Sequence, residues 1–132
     1  MRVVIDTNVW VSGILNPHGP PGQIVDAALS PAFQVLYDDR ILSEYREVLL
    51  RPIFGFPRED VRHVLDFVES AGERITAKPL RLRLPDASDA PFAEVAIAGM
   101  ADALVTGNVK PFPQRALCDV QILSPAQFLR LL

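Results

Sequence analysis

The 132-residue sequence has little cysteine and little histidine, and each shortage removes a class of site. The single thiol, Cys118, excludes an intramolecular disulfide and a cysteine-rich zinc centre, and it suits a reducing compartment. The two histidines, His18 and His63, have no third zinc-type ligand near them in the sequence, and neither has the setting of a serine triad. The chemistry of this chain must therefore come from other side chains.

Long hydrophobic runs and a strong charge of either sign are also missing. The longest apolar stretch, near residues 95–101, stops at Asp102, whereas a membrane span needs about 20 residues. The first residues reach Asp6 after three apolar positions, unlike the hydrophobic region of a signal peptide. We therefore expect a cytoplasmic protein without a membrane partner. A formal charge of -3 argues against a basic protein that coats DNA, but not against a nuclease that neutralises its own acids with metal.

The residues that are present alternate between short apolar runs and segments of helical period. Hydrophobic residues make up 49% of the chain, and no linker or repeat divides it, so we expect one domain over residues 1–132. The pattern predicts an α/β fold, with a mostly parallel sheet of four to five strands and helices on both faces. Predicted strands are residues 3–5, 33–37, 74–76, 103–106 and 121–123; predicted helices are 23–29, 41–50, 58–71, 92–100 and one beginning at 124–125.

Polar side chains follow two of the predicted strands. Asp6, Thr7 and Asn8 come after the first strand, and Thr106 and Asn108 come at the end of a later one. In doubly wound sheets, ligands bind outside the carboxyl ends of the strands, where such side chains meet. The order of these residues therefore predicts a polar site at that edge.

Carboxylates from two other segments can reach the same edge. At about 100° per residue, Glu44 lies about 40° from Val48, at the border of an apolar helix face. Asp89 stands at the start of a buried helix, with Asp86 three residues before it. Two carboxylates about 4 Å apart repel by roughly 4 kcal/mol at an effective dielectric constant of 20. Such a cluster raises pKa values or binds a cation, and Mg²⁺ or Mn²⁺ is the natural choice for oxygen ligands.

Each of these residues also has a structural interpretation. Asp6 can close an Asx turn, Glu44 can be an exposed helix residue, and Asp89 can cap the following helix. The hydroxyls of Thr7 and Thr106 either orient ligands or satisfy turns. Asn8 is expected to brace the acids by hydrogen bonding.

Basic residues are few, and two groups of them are candidates for phosphate contacts. Residues 74–83 carry a modest basic run of Arg74, Lys78, Arg81 and Arg83, which is either an RNA contact or a solvated loop. Lys110 and Arg115 follow the Gly-Asn turn and are better placed to meet a phosphate near a metal ion.

Four segments of the sequence together resemble the PIN domains, a family of metal-dependent ribonucleases. Within that family the resemblance is to the toxin components of bacterial toxin–antitoxin systems, related to VapC-type toxins. The segments are residues 4–12 (VIDTNVWVS), 41–49 (ILSEYREVL), 86–92 (DASDAPF) and 101–108 (ADALVTGN). The resemblance makes Asp6, Glu44 and Asp89 the catalytic residues and the ligands of Mg²⁺ or Mn²⁺, with Asp86 as the fallback for the third.

The resemblance implies hydrolysis of RNA phosphodiester bonds, leaving 5′-phosphate and 3′-hydroxyl ends. It also implies a homodimer and a cognate antitoxin whose tail occludes the acidic groove. The fourth family position is usually an acid, but here it is Asn108, which adds no charge. The alternative is therefore a weakened PIN-like module that binds RNA or a protein partner without turnover.

Two other classes of α/β protein fit the sequence less well. A receiver-type phosphoacceptor needs an aspartate at the end of the third strand, and residues 74–78 contain none. A haloacid-dehalogenase phosphatase needs a second aspartate where Asn8 stands.

Overall fold

The computed structural model describes residues 1–107, 112, 117 and 119–132. The strands are β1 (Arg2–Ile5), β2 (Gln34–Tyr37), β3 (Glu73–Arg74), β4 (Ala103–Val105) and β5 (Gln121–Leu123). The helices are α1 (Thr7–Leu15), α2 (Pro20–Leu29), α3 (Asp39–Leu49), α4 (Arg58–Ala71), α5 (Ala90–Ala98) and α6 (Pro125–Leu129), and a 3-10 turn (Ala87–Asp89) precedes α5.

The strands form one parallel sheet in the order β3-β2-β1-β4-β5. Val3 in the central strand pairs with Val35 on one side and with Ala103 on the other. The direction of strand progression reverses between β1 and β4, which opens a crevice at their carboxyl ends. This parallel α/β/α architecture confirms the predicted fold class.

The core lies on both faces of the central strands. Val3, Val4 and Ile5 are fully buried, as expected of a parallel strand covered by helices on each side. Trp10 and Phe92 are buried in this core too. In the described part of the chain, no helix is both long enough and apolar enough to cross a bilayer.

Helix α1 is the main element that the sequence pattern did not predict. It begins directly after β1 and packs against α2. A Cβ at Gly13 would lie 2.6 Å from Val25 Cγ2 and 2.8 Å from the carbonyl oxygen of Pro21. The close approach of the two helices therefore requires glycine here, and tertiary packing outweighs the modest helix propensity of the β-branched residues.

Several predicted boundaries are displaced by one to three residues. Helix α2 begins at Pro20 rather than at residue 23, because a first-turn proline lacks only an N–H that has no helical partner. Helix α5 begins at Ala90 and ends at Ala98, before Met100, whose φ of 50° is left-handed. Strand β3 has two residues and sits at the edge of the sheet.

Candidate active site

Asp6 and Thr106 meet in the crevice between β1 and β4. Asp6 follows β1, and its backbone N–H donates to the Val105 carbonyl at 2.9 Å. The hydroxyl of Thr106, the residue after β4, donates to Asp6 Oδ2 at 2.8 Å. Both side chains are buried, with 8% of Asp6 and none of Thr106 exposed. Two neighbouring strands thus hold one carboxylate in a fixed position.

Asn8 joins the same arrangement from the first turn of α1. Its Nδ2 lies 3.4 Å from Asp6 Oδ2, and its Oδ1 accepts the Gly107 N–H at 3.1 Å. The amide therefore links the turn after β4 to the carboxylate after β1.

Glu44 reaches this edge from the second turn of α3. The Thr7 hydroxyl donates to its carboxylate, and the side chain is half-buried. The next residue, Tyr45, is fully buried and donates its hydroxyl to the Ile5 carbonyl. Helix α3 is therefore fixed to the carboxyl end of β1, beside Asp6.

Asp86 and Asp89 have different roles at the start of α5. The Asp86 carboxylate accepts from the backbone N–H of Ser88 at 2.9 Å and from its hydroxyl at 2.7 Å, which lowers the Asp86 pKa. Asp89 occupies the N-cap position of α5, but its side chain makes no capping hydrogen bond in the described part of the chain. The cap interpretation thus suits Asp86, while the Asp89 carboxylate is available for another role.

The three acids of the predicted site share one electrostatic environment. Burial raises the pKa of Asp6 against the hydrogen bond from Thr106. Burial also raises the pKa of Glu44, and the charge of Asp6 adds to this. The pKa of Asp89 rises to about 6, through burial first and then through Asp6, Asp86 and Glu44. Among the described residues, no salt bridge reaches Asp6, Glu44 or Asp89.

A divalent cation is chemically suited to this region, although the side chains do not yet enclose one. Across the described residues, no three His, Cys, Asp or Glu side chains converge closely enough to hold an ion. The Glu44 carboxylate is engaged by Thr7 instead. The donors are nevertheless all oxygens, and the charges of Asp6, Asp86 and Glu44 add to burial in raising the pKa of Asp89, a repulsion that a bound Mg²⁺ or Mn²⁺ would offset.

Three residues predicted from the sequence lie outside the described part of the chain. They are Asn108, Lys110 and Arg115, and their roles stay predictions. Asp38 caps α3 by accepting the Ile41 N–H at 2.9 Å.

Sequence reasoning missed a buried charge network next to the site. The Glu94 carboxylate on α5, with 4% of its side chain exposed, accepts from Arg40 at 2.6 Å and from the Leu80 N–H at 2.6 Å. Arg40 also pairs with Asp38 at 2.8 Å. Glu94 is the one charge in an apolar helix, and that exception was the available signal for a buried partner.

The chain has a doubly wound fold. Its acidic, oxygen-rich candidate site lies at the carboxyl ends of β1 and β4, where the strand order reverses. A family model described as the PIN domain matches residues 2–110, which include Asp6, Glu44 and Asp89. The chain therefore belongs to the PIN domain family.

Two relatives illustrate how far this likeness extends. Over 56 residues the chain is 36% identical to the uncharacterized protein MJ1680 of Methanocaldococcus jannaschii, covering 42% of this chain and 30% of that protein. The structure is similar to a chain in the crystal structure of VapBC2 from Rickettsia felis bound to a DNA fragment from their promoter. That match has a TM-score of 0.59 and 21% identity, and it covers 94% of this chain and 98% of that chain. At this identity the likeness concerns the fold.

Proposed function

We propose that the chain is a Mg²⁺- or Mn²⁺-dependent endoribonuclease. The observation that carries the proposal is the approach of three carboxylates, from the end of β1, from α3 and from the start of α5, in which the charge of Asp6 raises the pKa of both Glu44 and Asp89. Structural acids are normally paired, whereas acids that must bind a cation keep their negative charge uncompensated. Membership of the PIN domain family supports a nuclease as the kind of enzyme.

The residues of this edge have distinct proposed roles. Asp6, Glu44 and Asp89 would hold the ion, which when bound would promote ionisation of water and neutralise phosphodiester charge. Thr106 keeps the Asp6 carboxylate in one orientation through its hydrogen bond. Asn8 fixes the turn after β4 against that carboxylate. The Thr7 hydroxyl donates to Glu44 and holds this carboxylate at the end of β1, from where it would ligate the ion.

We further propose that the enzyme is the toxin of a toxin–antitoxin pair. The similar chain comes from a structure of VapBC2, and the fold covers nearly all of both chains. On this basis the partners are an RNA substrate, a cognate antitoxin and a second copy of the chain, and the location is cytoplasmic.

Incubation of the purified chain with a mixed RNA pool tests the nuclease directly. We expect cleavage with Mn²⁺ and none with EDTA, and at least about a hundredfold loss of rate for Glu44→Gln, because a neutral amide is a poor ligand for a hard cation. The matched control is Glu47→Gln, since Glu47 is exposed on the same helix. Cleavage that survives EDTA, or equal activity in both variants, would refute the proposal.

The amide at the fourth family position favours one alternative, a PIN-like module that binds RNA without cleaving it. The substitution Asn108→Asp separates the two. A gain in the Mn²⁺-dependent rate indicates a weakened enzyme, whereas a wild type and a variant that both bind RNA without cleavage indicate a binding module.

A further inference from the structure

The segment between β3 and the 3-10 turn has its charged side chains exposed to solvent. It has no regular secondary structure over residues 75–84, yet burial alternates every second residue over 75–78 and again over 81–84, as in extended chains. The inward side chains pack on the hydrophobic core and are Ile75, Ala77, Leu82 and Leu84. The outward cationic side chains, Lys78, Arg81 and Arg83, are exposed and form what we call the basic stripe.

A buried acid fixes the middle of this segment. The Leu80 N–H donates to Glu94 Oε2 at 2.6 Å, and Arg40 binds the other oxygen of the same carboxylate at 2.6 Å. Because Glu94 is almost fully buried, this link ties the segment to α5 and α3. The basic stripe therefore rests on a fixed backbone.

The contacts of Glu94 with Leu80 and Arg40 place the basic stripe beside the acidic site. Arg40 precedes Glu44 by four residues on α3, and Glu94 follows Asp89 by five residues, which is about 6 Å and about 7.5 Å along the helix axes. At its other end the segment leads directly from Arg83 into the 3-10 turn that carries Asp89.

The charge of the stripe has no acidic partner within the described residues, where no carboxylate lies within 4 Å of Lys78, Arg81 or Arg83. By contrast, Asp38 and Glu94 neutralise Arg40. Uncompensated positive charge thus lies next to uncompensated negative charge.

We propose that the basic stripe binds the phosphates of a single-stranded RNA and guides that strand to the acidic site. The inference rests on the proposed nuclease function, because three carboxylates repel a phosphodiester and the approaching strand needs cations nearby. Arg81 and Arg83 are about 6–7 Å apart along an extended backbone, and both are exposed, so they can contact the same strand.

The test measures binding of a short fluorescein-labelled single-stranded RNA by anisotropy, in EDTA, over a range of salt concentrations. We expect Arg81→Ala/Arg83→Ala to weaken binding at least about tenfold and to reduce the slope of log K against log salt by about 1.4, because two phosphate contacts are lost. The matched control is Arg58→Ala/Arg62→Ala, which removes the same charge from two exposed arginines of α4. Melting temperatures of both variants show whether either loss reflects unfolding.

Equal losses in the two variants, or no RNA binding by the wild type, would overturn the inference. The stripe would also be reassigned to a protein partner if its variant lost only binding of an acidic peptide from the antitoxin. Cleavage assays with Mn²⁺ on the same samples separate the two proposals. Binding through the stripe without cleavage refutes the nuclease alone, while cleavage and binding that are unchanged in the stripe variant refute the stripe alone.

Discussion

Asp102 and Glu73, at the amino end of the sheet, differ in their partners from Asp6 and Asp89, at its carboxyl end. At the amino end, Asp102 accepts the Arg2 N–H at 2.7 Å, and the Arg2 guanidinium pairs with Glu73, whose pKa is lowered by that hydrogen bond. At the carboxyl end, Asp6 and Asp89 have raised pKa values and no salt bridge among the described residues. Glu73 at the amino end is thus paired with a cation, whereas Asp6 and Glu44 of the proposed site accept hydrogen bonds from neutral donors and have no salt bridge among the described residues.

The largest effect that would test this contrast is expected for Asp6→Asn. The variant should lose RNA cleavage by at least about a hundredfold, because the most buried site carboxylate no longer binds the cation. Its melting temperature in EDTA should equal or exceed that of the wild type, since a repulsive charge is gone. A large loss of metal-free stability would instead identify Asp6 as a structural residue. The exposed Asp66→Asn on α4 is the control.

A thermal shift on adding Mg²⁺ or Mn²⁺ is the next effect in size. Only the folded chain gathers the three acids, so an ion at about 100 times its dissociation constant should stabilise the fold by about 2.7 kcal/mol, or several degrees. Differential scanning fluorimetry would measure the shift, which should vanish in Asp6→Asn. An unchanged melting temperature at millimolar metal would contradict the cation site.

At the amino end, removing a carboxylate should cost stability and spare activity. The substitution Asp102→Ala leaves the Arg2 N–H without its acceptor and should lower the free energy of unfolding by about 1 kcal/mol. Urea unfolding would report this loss, and the cleavage rate of the folded variant should stay at the wild-type level. A variant that stays stable but loses cleavage would place Asp102 in the site.

The smallest effect is a pH dependence at Asp89, whose pKa rises from 3.8 to about 6 on folding. A raised acid pKa favours the folded state at low pH, and that contribution is lost as pH rises through the folded value. In EDTA, the melting temperature of Asp89→Asn minus that of the wild type should therefore increase between about pH 5 and pH 7.5. Asp86→Asn should show no such trend, because the Asp86 pKa is lowered and Asp86 stays ionised throughout. Parallel curves for both variants would refute the crowding of Asp89.

Local sequence signals were sufficient for the strands and for most helices. Short buried runs such as Val3–Ile5 and a one-sided helix such as α4 follow from hydrophobic period alone, and α4 has the predicted bounds, Arg58–Ala71. Helix α1 was not predicted because its residues are apolar on nearly all sides, so no helical period is visible. Its glycine, Gly13, is explained only by the packing of α2.

The site shows the same division between local and long-range information. Strand ends and family resemblance were enough to single out Asp6, Glu44 and Asp89. Neither could show that Asp86 caps the 3-10 turn, or that Glu94 ties Leu80 to Arg40, because those contacts depend on how distant segments pack. Which acids cap a helix or pair with a distant segment was thus visible only in three dimensions.

The hydrogen bond between Thr106 and Asp6 spans 100 residues of chain. Pairings across such a separation form late, since a long loop must close before they yield any free energy. During synthesis, Asp6 leaves the ribosome long before Thr106, and β4 is still missing when β1 and β2 can first pair. An incomplete chain therefore has Asp6 without the crevice around it, and the crevice is complete only after β4 has been synthesised.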